Sequence, residues 1–240
     1  MILEVLPERT GGAAENMAAD FMLLQRHPRE GNARYRHYDW RSPAFTFGYS
    51  QKIAFVRGQL PPGEAFDLCR RPTGGGIVDH RDDWTYALVI PRGHPLEELR
   101  ATQSYRAVHE ALALALRAAG VPVTVKAVPD PGGAAEPGGP AGVCFERAEI
   151  FDVVHASTGI KIAGGAQKRN KRGLLFQGSI WKPAAGSPAP DWEKFGEDFA
   201  ARLAQALRIP AEARPWPEFS EDEMEGLVER YFSPEWMEFR

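Results

Sequence analysis

Apolar residues recur at helical spacing in TQSYRAVHEALALALRAAG, residues 102–120, where Tyr105, Val108, Leu112, Ala115 and Ala119 fall on one stripe. Thr102 or Ser104 is placed to cap the start of this helix, and Gly120 to close its end. AENMAADFMLLQR, residues 14–26, shows the same period through Met17, Phe21 and Leu24. Two further helices are predicted over Asp191–Leu207 and Ser220–Phe232, the second opened by a capping box of Ser220 and Glu223.

Elsewhere the apolar pattern is short and β-branched or aromatic. ARYRHYDW and PAFTFGY read as two strands joined by a turn at Ser42-Pro43. AFDLCR and DWTYALVIP come next, the latter stopped by Pro91. VPVTVKAV is a strand after the long helix, and AEIFDVVHA, GIKIAGGAQ and RGLLFQGSIW are three more. IPAEARPWPEF reads as a linker between the last two helices. Strands and helices do not alternate regularly, so the expectation is an α+β domain with a mixed, largely antiparallel sheet packed with helices, rather than a doubly wound parallel sheet.

PDPGGAAEPGGPAG, residues 129–142, has nothing to pack and is expected to be a flexible loop. It is either a tolerated surface insertion or a mobile cover for Cys144, which stands two residues beyond its end.

The 240 residues suit one large domain or two small ones, and a single catalytic domain over 1–240 is expected. Apolar residues at 43% and charged residues at 25% give an ordinary globular balance. A formal charge of −3 argues against nucleic acid as a main partner. No secretory leader and no apolar run long enough to span a membrane is read from the sequence. With two cysteines, Cys69 and Cys144, a disulfide framework is not expected and a cytoplasmic setting fits.

The candidate chemistry sits in three places. In CRRPTGGGIVDH, residues 69–80, three glycines strip side-chain cover from the backbone beside the charged forks of Arg70 and Arg71. Such a loop can cradle an anion or a carbonyl, or it is a glycine-rich hairpin with solvated arginines. The spacing matches neither a P-loop nor a dinucleotide fingerprint. In GIKIAGGAQKR, residues 159–169, Lys161 lies between Ile160 and Ile162 and is followed by small residues. It faces solvent from an edge strand, or it faces a ligand for which those small residues leave room. Cys144, in GVCFE, is a small apolar residue or a nucleophile whose thiolate a nearby ammonium would favour. Cys69, in an alternating run, reads as structural.

RRPTGGGIVDH resembles the arginine–glycine signature of lipoate–protein ligases and octanoyltransferases, and KIAGGAQKR resembles their lysine motif. LLFQGSI, ENMAADFMLL and FGYSQ resemble other short motifs of that family, so the likeness runs over about residues 14–182. It implies a biotin/lipoate-ligase-like catalytic domain that attaches an octanoyl or lipoyl group to a lysine of a lipoyl carrier domain. The acceptors would be lipoyl domains of 2-oxoacid dehydrogenases or the glycine cleavage H protein. The implied substrate-binding set is Arg70, Arg71, Thr73, Gly74, Gly75, Gly76, His80, Gly164, Gly165 and Ala166, and the implied catalytic pair is Cys144 and Lys161.

Two branches differ in cofactor. An octanoyltransferase takes octanoyl from acyl carrier protein through a cysteine thioester and needs neither cofactor nor metal. A ligase makes a lipoyl-adenylate and needs ATP and Mg. Cys144 in CFE and the run HRDDWTYALV resemble the transferase branch, whereas the full triplet ending in Gly76 resembles the ligases. The transferase is the leading expectation. A biotin ligase resembles the loop less closely, and a non-catalytic acyl- or carrier-binding protein is the alternative from a different class.

Overall fold

The structure, a computed structural model, describes residues 1–26, 31–128 and 148–239. The Pro/Gly loop expected over 129–142 and the candidate nucleophile Cys144 lie outside the described residues. In chain order the elements are β1 (Leu3–Val5), β2 (Arg9–Gly11), α1 (Ala13–Gln25), β3 (Ala33–Trp40), β4 (Ala44–Phe47), α2 (Ile53–Gln59), β5 (Asp67–Arg70), β6 (Ile77–Asp79), β7 (Asp83–Pro91) and α3 (Pro95–Glu98). After these come α4 (Ala101–Ala118), β8 (Val123–Val125), β9 (Val153–His155), β10 (Lys161–Asn170), β11 (Gly173–Trp181), α5 (Trp192–Leu207), β12 (Ala211–Ala213), α6 (Glu221–Phe232) and α7 (Pro234–Met237).

The architecture is α+β. The large sheet runs β12-β1-β3-β7-β11-β10-β9-β8, with β2 beside β3. Its centre is antiparallel, and its parallel pairs are confined to β1, β2, β3 and β12. A small sheet, β5-β4-β6, stands apart from it. No helix among the described residues is long and apolar enough to cross a membrane.

The period of two decides what each face of the large sheet does. On β7, Trp84, Tyr86, Leu88 and Ile90 pack with Leu112 and Leu116 of α4 and with Phe195, Phe199 and Leu203 of α5. On β11, Leu174, Phe176 and Ile180 join the same core. Each such apolar side chain contributes about 1.5–3 kcal/mol through burial. The opposite face packs Ala87, Val89 and Leu175 under α1 and Tyr231 of α6. Further along that face the residues turn polar, with Gln177 and Ser179 on β11 and Asp83 and Thr85 on β7, all buried. That polar stretch becomes the floor of the site.

α4 takes the expected span and ends at Gly120, whose φ of +87° suits glycine and whose N–H bonds to the Arg117 carbonyl. Its start differs from expectation. Arg100 precedes the first turn without a side-chain cap, and Ser104 is buried inside the helix, donating to the Ala101 carbonyl and to Gln167 Oε1. A tertiary bond has taken the hydroxyl expected at the cap. α6 does start at Ser220, which accepts from the Glu223 N–H.

AEIFDVVHA pairs only over Val153–His155, because residues 149–152 form a turn in which the Asp152 N–H bonds to the Glu149 carbonyl. The expected linker over 209–219 contains β12, which adds a parallel edge strand beside β1. The strands expected at ARYRHYDW and PAFTFGY exist, but they enter different sheets.

Candidate active site

The glycine loop is positioned by the small sheet. β4 is central, parallel to β5 and antiparallel to β6, so residues 71–76 must cross from one edge to the other over the end of β4. Three backbone bonds hold that crossing, Arg71 N to Phe47 O (2.9 Å), Tyr49 N to Thr73 O (2.8 Å) and Gly48 N to Gly76 O (3.2 Å), while His80 N to Ala44 O (2.9 Å) closes the other end of the β4–β6 pair. A side chain at Gly48 would place its Cβ 2.0 Å from the Gly75 carbonyl oxygen, so the loop can close there only over glycine. Gly75 itself has φ +89°.

The two arginines separate. Arg71 donates to the carbonyls of Gly74 (2.6 and 3.0 Å) and Gly76 (2.8 Å) and to Thr46 Oγ1 (3.3 Å). It therefore holds the loop in shape from inside. Arg70 is fully buried and donates to the carbonyls of Tyr49 (2.7 Å), Gln51 (2.8 Å), Trp236 (2.9 Å) and Met237 (2.7 Å). It ties the 49–51 segment to the C-terminal helix α7.

Between this loop and the large sheet lies a cleft enclosing about 460 Å³, mouth included. Arg71, Gly75 and His80 wall one side, and Gly164, Gly165 and Ala166 of β10 wall the other. Met17, Tyr38 and Val78 add apolar surface, and Gln177, Gly178 and Ser179 lie on the floor. Glycine and alanine make this a thin slot.

Buried polar chains fix its walls. His80 Nδ1 faces Asp83 Oδ2 at 2.7 Å and Nε2 faces Thr46 Oγ1 at 2.8 Å. The carboxylate accepts from Nδ1–H, and Nε2 meets the Thr46 hydroxyl. Asp83 Oδ2 also accepts from Thr85 (2.7 Å) and Ser179 (2.5 Å). Burial would raise the Asp83 carboxyl, but the adjacent His80 charge and these hydrogen bonds hold it below the ordinary aspartate value. Trp40 stacks on His80 at 4.1 Å and donates to Thr85 Oγ1 at 2.9 Å. On the floor, Thr73 donates to Gln177 Oε1 (2.7 Å) and Gln177 donates to Asp20 (2.6 Å). Asp20 in turn pairs with buried Arg36 at 2.7 Å.

Lys161 opens β10 and is turned inward, its side chain 5% exposed. Its Nζ lies 2.7 Å from Asp152 Oδ2, on a carboxylate that is 1% exposed. The Glu149 N–H donates to the same oxygen (2.8 Å), the Tyr105 hydroxyl donates to Oδ1, and Tyr105 accepts from the Gly165 N–H (3.0 Å). A Cβ at Gly164 would sit 2.7 Å from Lys161 Cε and 2.9 Å from Nζ. The ammonium end thus passes over a glycine that also walls the cleft. His109 lies behind this group, in ring contact with Tyr105 at 4.1 Å, and donates from Nδ1 to the Phe151 carbonyl (2.7 Å). Burial pushes it down to about 4, so it is neutral.

The structure brings Arg71, Gly75, His80, Gly164, Gly165 and Ala166 around one cleft, with Lys161 beside Gly164. Thr73, Gly74 and Gly76 shape the loop and floor without lining the cleft, and Arg70 lies behind them. Cys69 is buried, and burial raises its thiol, which suits a structural role. Asp152, Tyr105, Thr46, Gln177 and Ser179 were missed from the sequence. Asp152 lies in the turn before β9 and the others are single polar residues inside strands or a helix, and nothing local marks them. Asp83 stood in HRDDWTYALV but carried no assigned role.

The family model of the lipoyl protein ligase A/B catalytic domain matches residues 12–182. The chain belongs to this family. Octanoyltransferase LipM of Kyrpidia tusciae is 34% identical over 71% of this chain and 62% of its own length. The chain thus spans about 60% of the length of that relative and of octanoyltransferase LipM of Oceanobacillus iheyensis. Octanoyltransferase LipM of Symbiobacterium thermophilum is 28% identical over 92% of this chain and 93% of that protein. Among solved structures, lipoate-protein ligase A bound with ATP superposes with a TM-score of 0.72 at 16% identity, covering 99% of this chain and 98% of that one. A chain from the bi-partite lipoate protein ligase system of Thermoplasma acidophilum gives 0.66 at 18% identity, covering 100% and 98%. These two share the α+β fold.

Proposed function

We propose that this protein is an acyltransferase that attaches an octanoyl or lipoyl group to a lysine of lipoyl carrier domains, taking octanoyl from acyl carrier protein through a thioester on Cys144. The observation that carries this reading is the placement of Lys161. Its ammonium end passes over Gly164, which with Gly75 and Ala166 lines a thin slot, in a chain of the lipoyl ligase family. Relatives named octanoyltransferase favour the transferase branch.

Cys144 stands five residues before Glu149, whose N–H contacts the carboxylate that pairs with Lys161. Five residues reach up to about 18 Å, so the tether lets the thiol meet the ammonium. There the ammonium favours thiolate over thiol, and Asp152 holds it in place. The thiolate attacks the thioester carbonyl carbon of the donor. The carbonyl becomes an oxyanion, which backbone N–H groups of the Gly74–Gly76 loop would receive. Collapse breaks the donor C–S bond, and the carrier thiolate leaves and takes a proton. The acyl chain, bound along the slot, then passes to the neutral amine of an acceptor lysine. An amide forms, one proton is released and the Cys144 thiolate returns. Acceptors would be lipoyl domains of 2-oxoacid dehydrogenases or the glycine cleavage H protein. This route uses no ATP and no metal.

The test is the intact mass of a lipoyl domain incubated with the protein. One arm holds octanoyl-carrier protein without ATP; the other holds lipoate, ATP and Mg. A gain of one octanoyl group in the first arm supports the transferase. Gain in the second arm alone replaces it with a ligase, and gain in neither leaves a binding protein.

A further inference from the structure

A second pocket lies against the back of the glycine loop. It encloses about 460 Å³, mouth included, and is lined by Pro72 of that loop, by Phe21, Tyr49 and Trp236, and by Lys168 and Arg230. Three chain segments run directly from the cleft into it. On β10, Gly164, Ala166 and Lys168 fall on one face; the first two wall the cleft and Lys168 enters the pocket. On α1, Met17 walls the cleft and Phe21, one turn on, walls the pocket. Arg71 faces the cleft and Pro72 the pocket.

Among the described residues nothing neutralises the two cations in this pocket. Among the described residues neither Lys168 nor Arg230 has a carboxylate within ion-pair distance, and no carboxylate lines the pocket. Each is instead held over an aromatic face: Lys168 Nζ lies 5.2 Å from the Tyr49 ring centre and the Arg230 guanidinium 5.1 Å from that of Trp236. The two rings are 5.7 Å apart and tilted. Lys168 is half-buried, and burial pushes its ammonium below the ordinary lysine value. An aromatic wall fixes where a cation sits but leaves its hydrogen-bond donors unused.

We infer that this pocket is a binding site for a phosphate monoester carried on a flat or apolar body, with Lys168 and Arg230 taking the phosphate and Tyr49 and Trp236 taking the body. Concavity favours a small group over a flat protein surface. Two monovalent cations match a dianionic phosphate, whereas a carboxylate would leave one of them unbalanced. Aromatic rings beside them suit either a nucleobase or an uncharged organic arm. The site does not depend on the acyl-transfer reading, and it survives if that reading fails.

Calorimetric titration of the full chain with AMP, with 4′-phosphopantetheine and with inorganic phosphate tests the inference. Adenosine and pantetheine serve as phosphate-free controls, and Trp236 fluorescence as a local reporter. At least one ester is expected to bind more tightly than both inorganic phosphate and its own phosphate-free control, and the identity of that ester separates nucleotide from pantetheine-type sources. Lys168→Ala and Arg230→Ala should each weaken it by about ten- to a hundredfold, the loss of one charge-assisted bond. Lys168→Arg should retain binding within a few-fold. Neither side chain holds the fold through a carboxylate, so melting temperatures should not move. The inference is overturned if no ester binds at millimolar concentration, if inorganic phosphate binds as well as the esters, or if both alanine variants bind like the parent chain.

Discussion

Asp152→Asn removes one charge from the buried pair and keeps the side chain's shape. The parent carboxylate receives the Lys161 ammonium at 2.7 Å, the Glu149 N–H at 2.8 Å and the Tyr105 hydroxyl. An amide can still accept from Tyr105 at Oδ1, but an NH2 in place of Oδ2 loses the Glu149 N–H bond together with the counter-charge. An ammonium left buried without its partner destabilises by about 3–5 kcal/mol. Loss of the lysine proton limits the damage: from an ordinary value near 10.4 down to pH 7, that limit is about 4.6 kcal/mol. For a chain of this size each kcal/mol moves the melting point by about 2–4 °C, so a fall of roughly 6–20 °C is expected. Lys161→Met strands the carboxylate in the same way. The double variant leaves neither charge, so it should recover part of the loss, with a coupling of at least about 2 kcal/mol. Urea melts of the four proteins measure this. Single losses that simply add, to within about 0.5 kcal/mol, would refute the claim that the pair acts as one buried unit.

Three other outcomes rest on the same geometry. Gly164→Ala drives a Cβ into the Lys161 side chain at 2.7 Å, so transfer activity is expected to fall at least about tenfold while the melting point moves little, since only the flexible end of a lysine must shift. His109 is held near 4 in the fold against about 6.5 unfolded, so the unfolded chain takes the proton first as pH falls. Stability should therefore drop by about 3 kcal/mol between pH 6.5 and 4 from this residue alone, and His109→Asn should flatten the profile over that range; an unchanged slope would remove His109 as its source. Arg70→Ala frees one buried and three part-buried carbonyls and should destabilise by about 3–5 kcal/mol, whereas little change in urea melts would show that the tie to α7 is not needed.

Sequence reading worked where one local rule was enough. The stripe from Tyr105 to Ala119 and the run DWTYALVIP, stopped by Pro91, located α4 and β7 because each pattern spans many residues. Strands of three residues, such as β1, β2 and β12, carry too few positions to show a period, and they form because a neighbouring strand supplies their partners. At the site, glycines and a lysine in an apolar run stood out because they are unusual in strands. The division of labour between Arg70 and Arg71 did not, since two adjacent arginines look alike until the C-terminal carbonyls of Trp236 and Met237 arrive beside one of them. Asp152 was hidden for a similar reason. It is one carboxylate just before a short strand, and its meaning depends on Lys161 and Tyr105, which are distant in sequence.

The covalent step is the most direct test of the whole account. The protein is mixed with octanoyl-carrier protein in the absence of an acceptor, quenched in acid, digested and analysed by peptide mass spectrometry. An octanoyl group on the peptide containing Cys144, removed by hydroxylamine and absent from Cys144→Ser, is the expected result. Full transfer to a lipoyl domain by Cys144→Ser, with no acyl group ever found on the parent cysteine, would contradict it.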